Sequence, residues 1–130
     1  MIQRFIELGQ GYSDIYELIS LGEGMRERVQ HVMAFHTVLE NGEKRTSIAV
    51  VLHPTQPGEF QPIYICREGI PYPHEVPNKR YDFFKNMAER IDKQIIELTV
   101  QPSEIFGETA LFYQHLIGIL RMNNYIAPLK

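Results

Sequence analysis

Apolar and polar residues alternate along several short stretches of the chain, a pattern typical of half-buried β-strands. The first stretch is Ile2–Leu8, and a longer one extends over residues 29–53 around the dipeptide Asn41-Gly42. Asn-Gly favours a two-residue hairpin turn because both turn positions need a positive φ. The pattern therefore predicts a short first strand and a β-hairpin over 29–53.

The register of this hairpin assigns its side chains to two faces. A turn at residues 41 and 42 pairs His36 with Ser47, and alternate residues of each strand then share a face. One face is apolar and is predicted to be core; it contains Met33, Phe35, Leu39, Ile48, Val50 and Leu52. The other is mixed and contains Val32, Ala34, His36, Arg45, Ser47, Ala49 and Val51. We expect a helix, a partner subunit or a ligand to cover part of the mixed face.

Helix signals precede and follow these strands. Ser13 can cap a short helix that extends to Leu21 and ends at the glycines that follow, the first of which is Gly22. Asn78 can cap a longer helix over about 79–92, in which apolar residues recur at helical spacing.

The remaining elements are two strands and a last helix. A strand is predicted over 61–68, and residues 95–101 are predicted as a strand, with an extension of the preceding helix as the alternative. The last helix covers about 104–123, and apolar residues surround most of its circumference. Such a helix is expected either to be buried on most sides or to form a subunit interface.

Together these elements predict an α+β fold. We expect an antiparallel sheet of about four to five strands, with the hairpin (29–53) at its centre, packed against the helices at about 79–92 and 104–123. The chain has 130 residues with 44% apolar and 22% charged, which is ordinary for one globular domain over 1–130.

Composition also limits the classes of partner. The net charge is −3 and there is no run of Lys and Arg, so no nucleic-acid partner is expected. No stretch approaches the roughly 20 apolar residues that span a bilayer, so no membrane partner is expected. A single cysteine and a first segment unlike a signal peptide predict a cytoplasmic location.

The five histidines do not suggest a metal site. His31 and His36 are five residues apart on one strand, so they point to opposite faces. His36 and His53 share a face, but the predicted pairing separates them by about 20 Å along the strand. His74 lies in a proline-rich loop, and His115 lies on the last helix away from its main apolar stripe. No pair has zinc-ligand spacing, so no metal and no cofactor are predicted.

The mixed hairpin face contains the first group of candidate ligand-binding residues. His36 lies opposite Ser47, and Arg45 lies two residues away on the same face. A catalytic triad would also need an acidic partner for the histidine and oxyanion donors, and the sequence identifies neither. The three residues are therefore predicted as a polar patch for binding.

The strand at 61–68 contains the second group. Cys66 lies in its middle, and Arg67 and Glu68 lie near its end, where charged side chains can line a ligand crevice. A nucleophilic cysteine needs a base and an exposed setting, whereas a lone cysteine in an apolar strand is usually a small buried side chain. His36 could face Cys66 only if this strand pairs beside the hairpin.

Four segments of the sequence resemble a small family of bacterial cytosolic proteins of unknown function. They are residues 11–18 (GYSDIYEL), 35–42 (FHTVLENG), 60–70 (FQPIYICREGI) and 113–120 (YQHLIGIL). The resemblance covers nearly the whole chain and implies no activity, cofactor or catalytic residue.

Two functional hypotheses follow. The first is a non-catalytic binding or interaction domain that can self-associate through the last helix or the mixed hairpin face. The alternative is a small-molecule-binding protein or small enzyme with a pocket near His36, Ser47, Cys66, Arg67 and Glu68. The absence of a complete catalytic set favours the first. Convergence of three of those five side chains on one cavity would favour the second.

Overall fold

The computed structural model describes residues 3–8, 13–39, 41–54, 60–100 and 109–127. These residues form, in chain order, β1 Gln3–Glu7, α1 Ser13–Gly24, a short 3-10 helix Arg26–Arg28, β2 Val29–Val38, β3 Lys44–Leu52, β4 Gln61–Pro71, α2 Lys79–Arg90, β5 Ile95–Val100 and α3 Thr109–Met122. The predicted α+β class is confirmed, and residues 95–100 form a strand rather than an extension of the preceding helix. None of the described helices is long and apolar enough to cross a bilayer.

The sheet is mixed, which corrects the prediction of an antiparallel sheet. Its described strands lie in the order β1-β4-β3-β2-β5. The central pairs β2–β3 and β3–β4 are antiparallel, but β1 pairs with β4 and β5 pairs with β2 in parallel. The reason is the position of the helices: α1 connects β1 to β2, and α2 connects β4 to β5. A helix that crosses the sheet returns the chain to the same end, so the strand that follows it is parallel to the strand before it.

The hairpin is confirmed, but its predicted register is wrong by one residue. The turn is closed by Leu39, whose N–H donates to the Glu43 carbonyl at 2.8 Å and whose carbonyl accepts from Gly42 N–H at 2.9 Å. Gly42 has a φ of 85°, which favours glycine. Three residues rather than two therefore connect the paired ends, and His36 lies opposite Thr46 instead of Ser47.

The corrected register moves every side chain of β3 to the other face of the sheet relative to β2. One face now combines residues of both predicted faces under α1 and α2: Val32, Ala34, Ile48, Val50 and Leu52. The opposite face lies under α3 and contains Met33, Phe35, Ala49 and Val51. Both faces of the hairpin are therefore buried under helices, and the mixed face that the sequence predicted does not form.

Helix α2 has the cap that the sequence predicted and packs closely against α1. The Asn78 side chain accepts hydrogen bonds from the N–H groups of Arg80 at 2.8 Å and Tyr81 at 3.2 Å. Helix α1 continues through Gly22, where it was predicted to end, because this glycine packs against α2. A Cβ there would lie 2.9 Å from Met87 Sδ, which is closer than a side chain can normally approach.

Helix α3 is buried on one side only. Phe112, Leu116 and Leu120 are fully buried against the sheet, whereas Leu111 and Met122 are 50% and 84% exposed. The described helix ends one residue before the predicted end, and its predicted start at 104 lies outside the described residues.

Candidate functional site

Two imidazoles meet one carboxylate where β2 and β5 lie side by side. His36 is on β2, Glu97 is on β5, and His74 is in the loop between β4 and α2. Glu97 Oε1 lies 2.7 Å from His36 Nε2 and 2.5 Å from His74 Nε2. The parallel pairing of the two strands places Glu97 opposite Ala34, so its side chain is on the same face of the sheet as His36. We call these three residues the His–Glu cluster.

The buried member of the cluster is held by a hydroxyl group. His36 is 5% exposed, and its Nδ1 lies 2.9 Å from the Oγ1 of Thr46, which is fully buried on β3. A carboxylate can only accept, so each ring donates its Nε2–H to Glu97. The Nδ1 of a neutral His36 then accepts the Thr46 hydroxyl hydrogen, and both ring nitrogens are satisfied.

Aromatic packing and an ion pair hold the loop that carries His74. The Tyr72 ring lies edge to face with the rings of His36 and His74, with centroid distances of 4.9 and 5.3 Å. Lys44 Nζ lies 5.0 Å from the centre of the Tyr72 ring and 2.6 Å from Glu75 Oε1. The loop is thereby tied to the end of β3, which keeps His74 over Glu97.

The environment of the cluster controls its charge. Partial burial of Glu97 acts to raise its pKa, but hydrogen bonds from His74 and His36 outweigh this effect, and the pKa of Glu97 is lowered. Burial lowers the pKa of His36 despite the opposing effect of Glu97. Burial, with a smaller contribution from Glu97, raises the pKa of the nearby Tyr81 to about 12. At neutral pH the carboxylate is charged, and the lowered pKa of His36 favours its neutral ring.

A cleft of about 530 Å³ opens beside the cluster, between α2 and β5. Its walls include Tyr81 and Lys85 of α2 and Gln94 just before β5, and Glu97 and His74 lie at the same cleft. The volume falls within the roughly 300–1,000 Å³ of typical small-molecule sites. The cleft combines a carboxylate, ammonium and imidazole groups, and a phenol, so it can contact a polar ligand from several directions.

The mixed-face candidates separate in the structure. His36 belongs to the His–Glu cluster. Ser47 lies on the opposite face of the sheet, where its hydroxyl donates to the Arg67 backbone carbonyl. Arg45 is exposed near the hairpin turn and forms an ion pair with Glu43 at 3.0 Å. The predicted pairing of His36 with Ser47 depended on the incorrect register, so the structure does not form that polar patch.

The candidates on β4 also lie apart from one another. Cys66 is 1% exposed and lies opposite Ile48 in the core under α1 and α2. Arg67 Nε donates to Glu7 Oε1 at 3.2 Å on the opposite face of the sheet. The side chain of Glu68 lies outside the described residues. The described members of the predicted pocket therefore do not converge on one cavity.

Sequence reasoning missed His74 and Glu97. A signal for Glu97 was present, because it is the charged residue of its strand and lies between the apolar residues Ile96 and Leu98. The position of His74 gave no such signal, since a loop between two elements can approach several parts of a sheet. The predicted distances between His31, His36 and His53 gave no information on whether His74 lies near Glu97.

The residues that the structure describes form a mixed five-stranded sheet from two strand–helix–strand units and a central hairpin, with the His–Glu cluster at one side. They define an α+β domain with a candidate binding site. The chain belongs to a family described as a domain of unknown function, DUF7147, whose model matches residues 1–126. No curated protein and no solved structure matches the chain. The resemblance to a family of unknown function is thus confirmed, and the family carries no activity over to these residues.

Proposed function

We propose that this protein is a non-catalytic binding domain that holds a small polar molecule in the cleft between α2 and β5. The observation that carries the proposal is the position of Glu97, a charged carboxylate fixed by His36 and His74 at a cleft of small-molecule size. Binding sites of this size typically combine a largely preformed shape with a few fixed polar groups that orient the ligand.

The other groups of the cleft support a ligand that carries both donors and acceptors. Lys85 can donate, Glu97 can accept, and the neutral Tyr81 phenol can do either. The opening admits a small molecule, and its mixture of both signs of charge favours a zwitterionic or hydroxylated compound over a simple anion.

Metabolite capture tests this proposal. The purified protein is equilibrated with a small-molecule extract, separated by gel filtration, and its bound compounds are identified by mass spectrometry. Gln94→Trp should abolish capture because the indole ring fills the cleft. The matched control is Gln114→Trp on the exposed side of α3, which should capture as the native chain does. The proposal would be refuted if Gln94→Trp retained the same compounds or if the native chain retained none.

A second proposal is self-association through the outer side of α3, supported by the exposure of Leu111 and Met122. The two residues are three helical turns apart and therefore share a side of the helix. Sedimentation equilibrium should show a dimer that Leu111→Glu dissociates. A native chain that stays monomeric at high concentration would rule it out.

A cytoplasmic location belongs with these proposals. Its support is the cysteine content: Cys66 is the one cysteine of the chain and is buried as a free thiol. Such a chain has no intramolecular disulfide to form in an oxidising compartment.

A further inference from the structure

The hydrogen bonds of the His–Glu cluster bring three potential metal-ligand atoms close together. His36, His74 and Glu97 each offer one ligand atom, and these atoms all lie within 4.8 Å of one another. Ligand atoms about 2 Å from a tetrahedral Zn²⁺ ion lie about 3.3 Å apart. Small movements of the three groups would therefore bring their atoms to the spacing of a metal site.

Two of the three side chains are exposed enough to shift by the short distance that such a change needs. The side chains of His74 and Glu97 are 51% and 38% exposed, so they can adjust without disturbing the core. His36 is fixed by burial and by Thr46, and it provides a rigid first ligand. One preformed ligand and two adjustable ones give an ion a path of entry from the cleft.

Thr46 also allows His36 to change role. In the hydrogen-bonded cluster the Nε2–H of His36 donates to Glu97, and Nδ1 accepts from the Thr46 hydroxyl. A metal ion on Nε2 requires the proton on Nδ1, which then donates to the same hydroxyl oxygen. A hydroxyl can donate or accept, so this contact serves both tautomers. Hydrogen bonding of the other ring nitrogen is the usual companion of a metal-bound histidine.

We infer that His36, His74 and Glu97 form a binding site for one divalent transition-metal ion of the Zn²⁺ type. Two imidazole nitrogens and one carboxylate oxygen are borderline donors that suit Zn²⁺ and its neighbours, whereas Mg²⁺ and Ca²⁺ prefer oxygen ligands alone. Three protein ligands leave a coordination position open. Because His74 and Glu97 both line the cleft, that position faces the cleft and can accept a donor atom of a bound molecule.

Isothermal titration of the metal-stripped protein with Zn²⁺ tests the site. We expect one ion per chain for the native protein. His74→Ala removes one ligand, and Glu97→Gln replaces the charged carboxylate with a neutral amide. Each should weaken binding by more than the tenfold to hundredfold typical of a lost outer-shell partner. The matched control is His115→Ala, an exposed histidine on α3, which should bind as the native chain does. Both substitutions in the cluster are at exposed or half-exposed positions, and circular dichroism confirms that each variant is folded.

The visible absorption of bound Co²⁺ provides a second measurement, because isolated surface histidines would not give the spectrum expected of this site. Co²⁺ in a site of low coordination number gives intense visible absorption, whereas Co²⁺ in an octahedral site is almost colourless. The native protein should show the intense bands, Zn²⁺ should displace them, and Mg²⁺ should not. Absence of stoichiometric Zn²⁺ binding, or equal affinity in the native chain and His74→Ala, would overturn the inference. So would an equal loss of affinity in His115→Ala.

The metal site does not depend on the proposed small molecule, and the two experiments separate them. The Zn²⁺ titration uses no organic ligand, whereas metabolite capture is read from the effect of Gln94→Trp on the cleft. A chain that binds Zn²⁺ and captures no compound retains the metal site and loses the proposed function. A chain that captures a compound and does not bind Zn²⁺ retains the proposed function and loses the metal site.

Discussion

Two buried threonines of the hairpin should respond in opposite ways to the same substitution. Thr46 and Thr37 are both fully buried, on β3 and β2. The Thr46 hydroxyl lies 2.9 Å from His36 Nδ1, but the Thr37 hydroxyl has no hydrogen-bond partner among the residues that the structure describes. Valine has nearly the shape of threonine and suits a strand, so Thr→Val removes the hydroxyl with little other change.

The expected free energies follow from these contacts. Thr46→Val removes a hydrogen bond and leaves Nδ1 of His36 without a partner, which should lower the free energy of unfolding by about 1–3 kcal/mol. Thr37→Val removes an unsatisfied buried polar group, which should raise the free energy of unfolding by about 1 kcal/mol or more. The native chain should therefore lie between the two variants in stability.

Urea unfolding at neutral pH measures both changes. With a slope of about 1–3 kcal/mol per molar, each kcal/mol shifts the midpoint by about half a molar, provided that the slope itself is unchanged. Thr46→Val should also weaken Zn²⁺ binding about tenfold to a hundredfold, and Thr37→Val should not. A Thr46→Val variant as stable as the native chain would refute the role assigned to the hydroxyl, and so would shifts of the same sign in both variants.

The remaining predictions concern the core, two glycines and one tyrosine. Phe84→Ala should lower the free energy of unfolding by about 3–5 kcal/mol because Phe84 is fully buried. Phe83→Ala should lower it by about 1 kcal/mol or less because the neighbouring Phe83 is 45% exposed. Equal losses in urea unfolding would contradict the packing of α2. Gly42→Ala should destabilise by about 1 kcal/mol at its φ of 85°, but Gly118→Ala should stabilise by about 1 kcal/mol because nothing lies within 4 Å of the added Cβ in helix α3. Thermal unfolding should show a lower melting temperature for Gly42→Ala and a higher one for Gly118→Ala than for the native chain. Because burial raises the pKa of Tyr81 to about 12, the folded chain keeps this proton while the unfolded chain loses it. Its contribution to stability is complete below about pH 10 and is lost between about pH 10 and 12. Ultraviolet titration of the native chain minus Tyr81→Phe should show the late transition, and ionisation near pH 10 would contradict it.

Much of the fold could be predicted from local patterns. The Asn78 cap, the spacing of apolar residues in α2 and the alternation in 95–100 each involve neighbours in sequence, and each prediction is confirmed. The parallel outer pairs were within reach as well, because strand–helix–strand order occurs twice in the predicted elements and implies parallel strands. The prediction of an antiparallel sheet was wrong because it extended the antiparallel pairing of the hairpin to strands whose connections contain helices.

The hairpin register could not be predicted from the Asn41-Gly42 dipeptide alone. A two-residue turn and a three-residue turn ending in glycine are both compatible with these residues, and they differ in register by one position. Apolar residues occur on both sides of β2 and β3, so neither register leaves an obviously polar face to decide between them. The packing of helices on both faces made that choice, and it moved Ser47 away from His36.

The sequence by itself determined the element types, the position of the hairpin and the burial of Cys66, since these depend on patterns a few residues long. Only the tertiary structure decided that His36 meets Glu97 and His74. His36 lies 61 positions before Glu97 in the sequence and His74 lies 23 positions before it, and no periodicity connects these residues. Strand order and the path of the loop after β4 bring them together. A site assembled from separate elements depends on how those elements pack, and that information is carried by the whole chain.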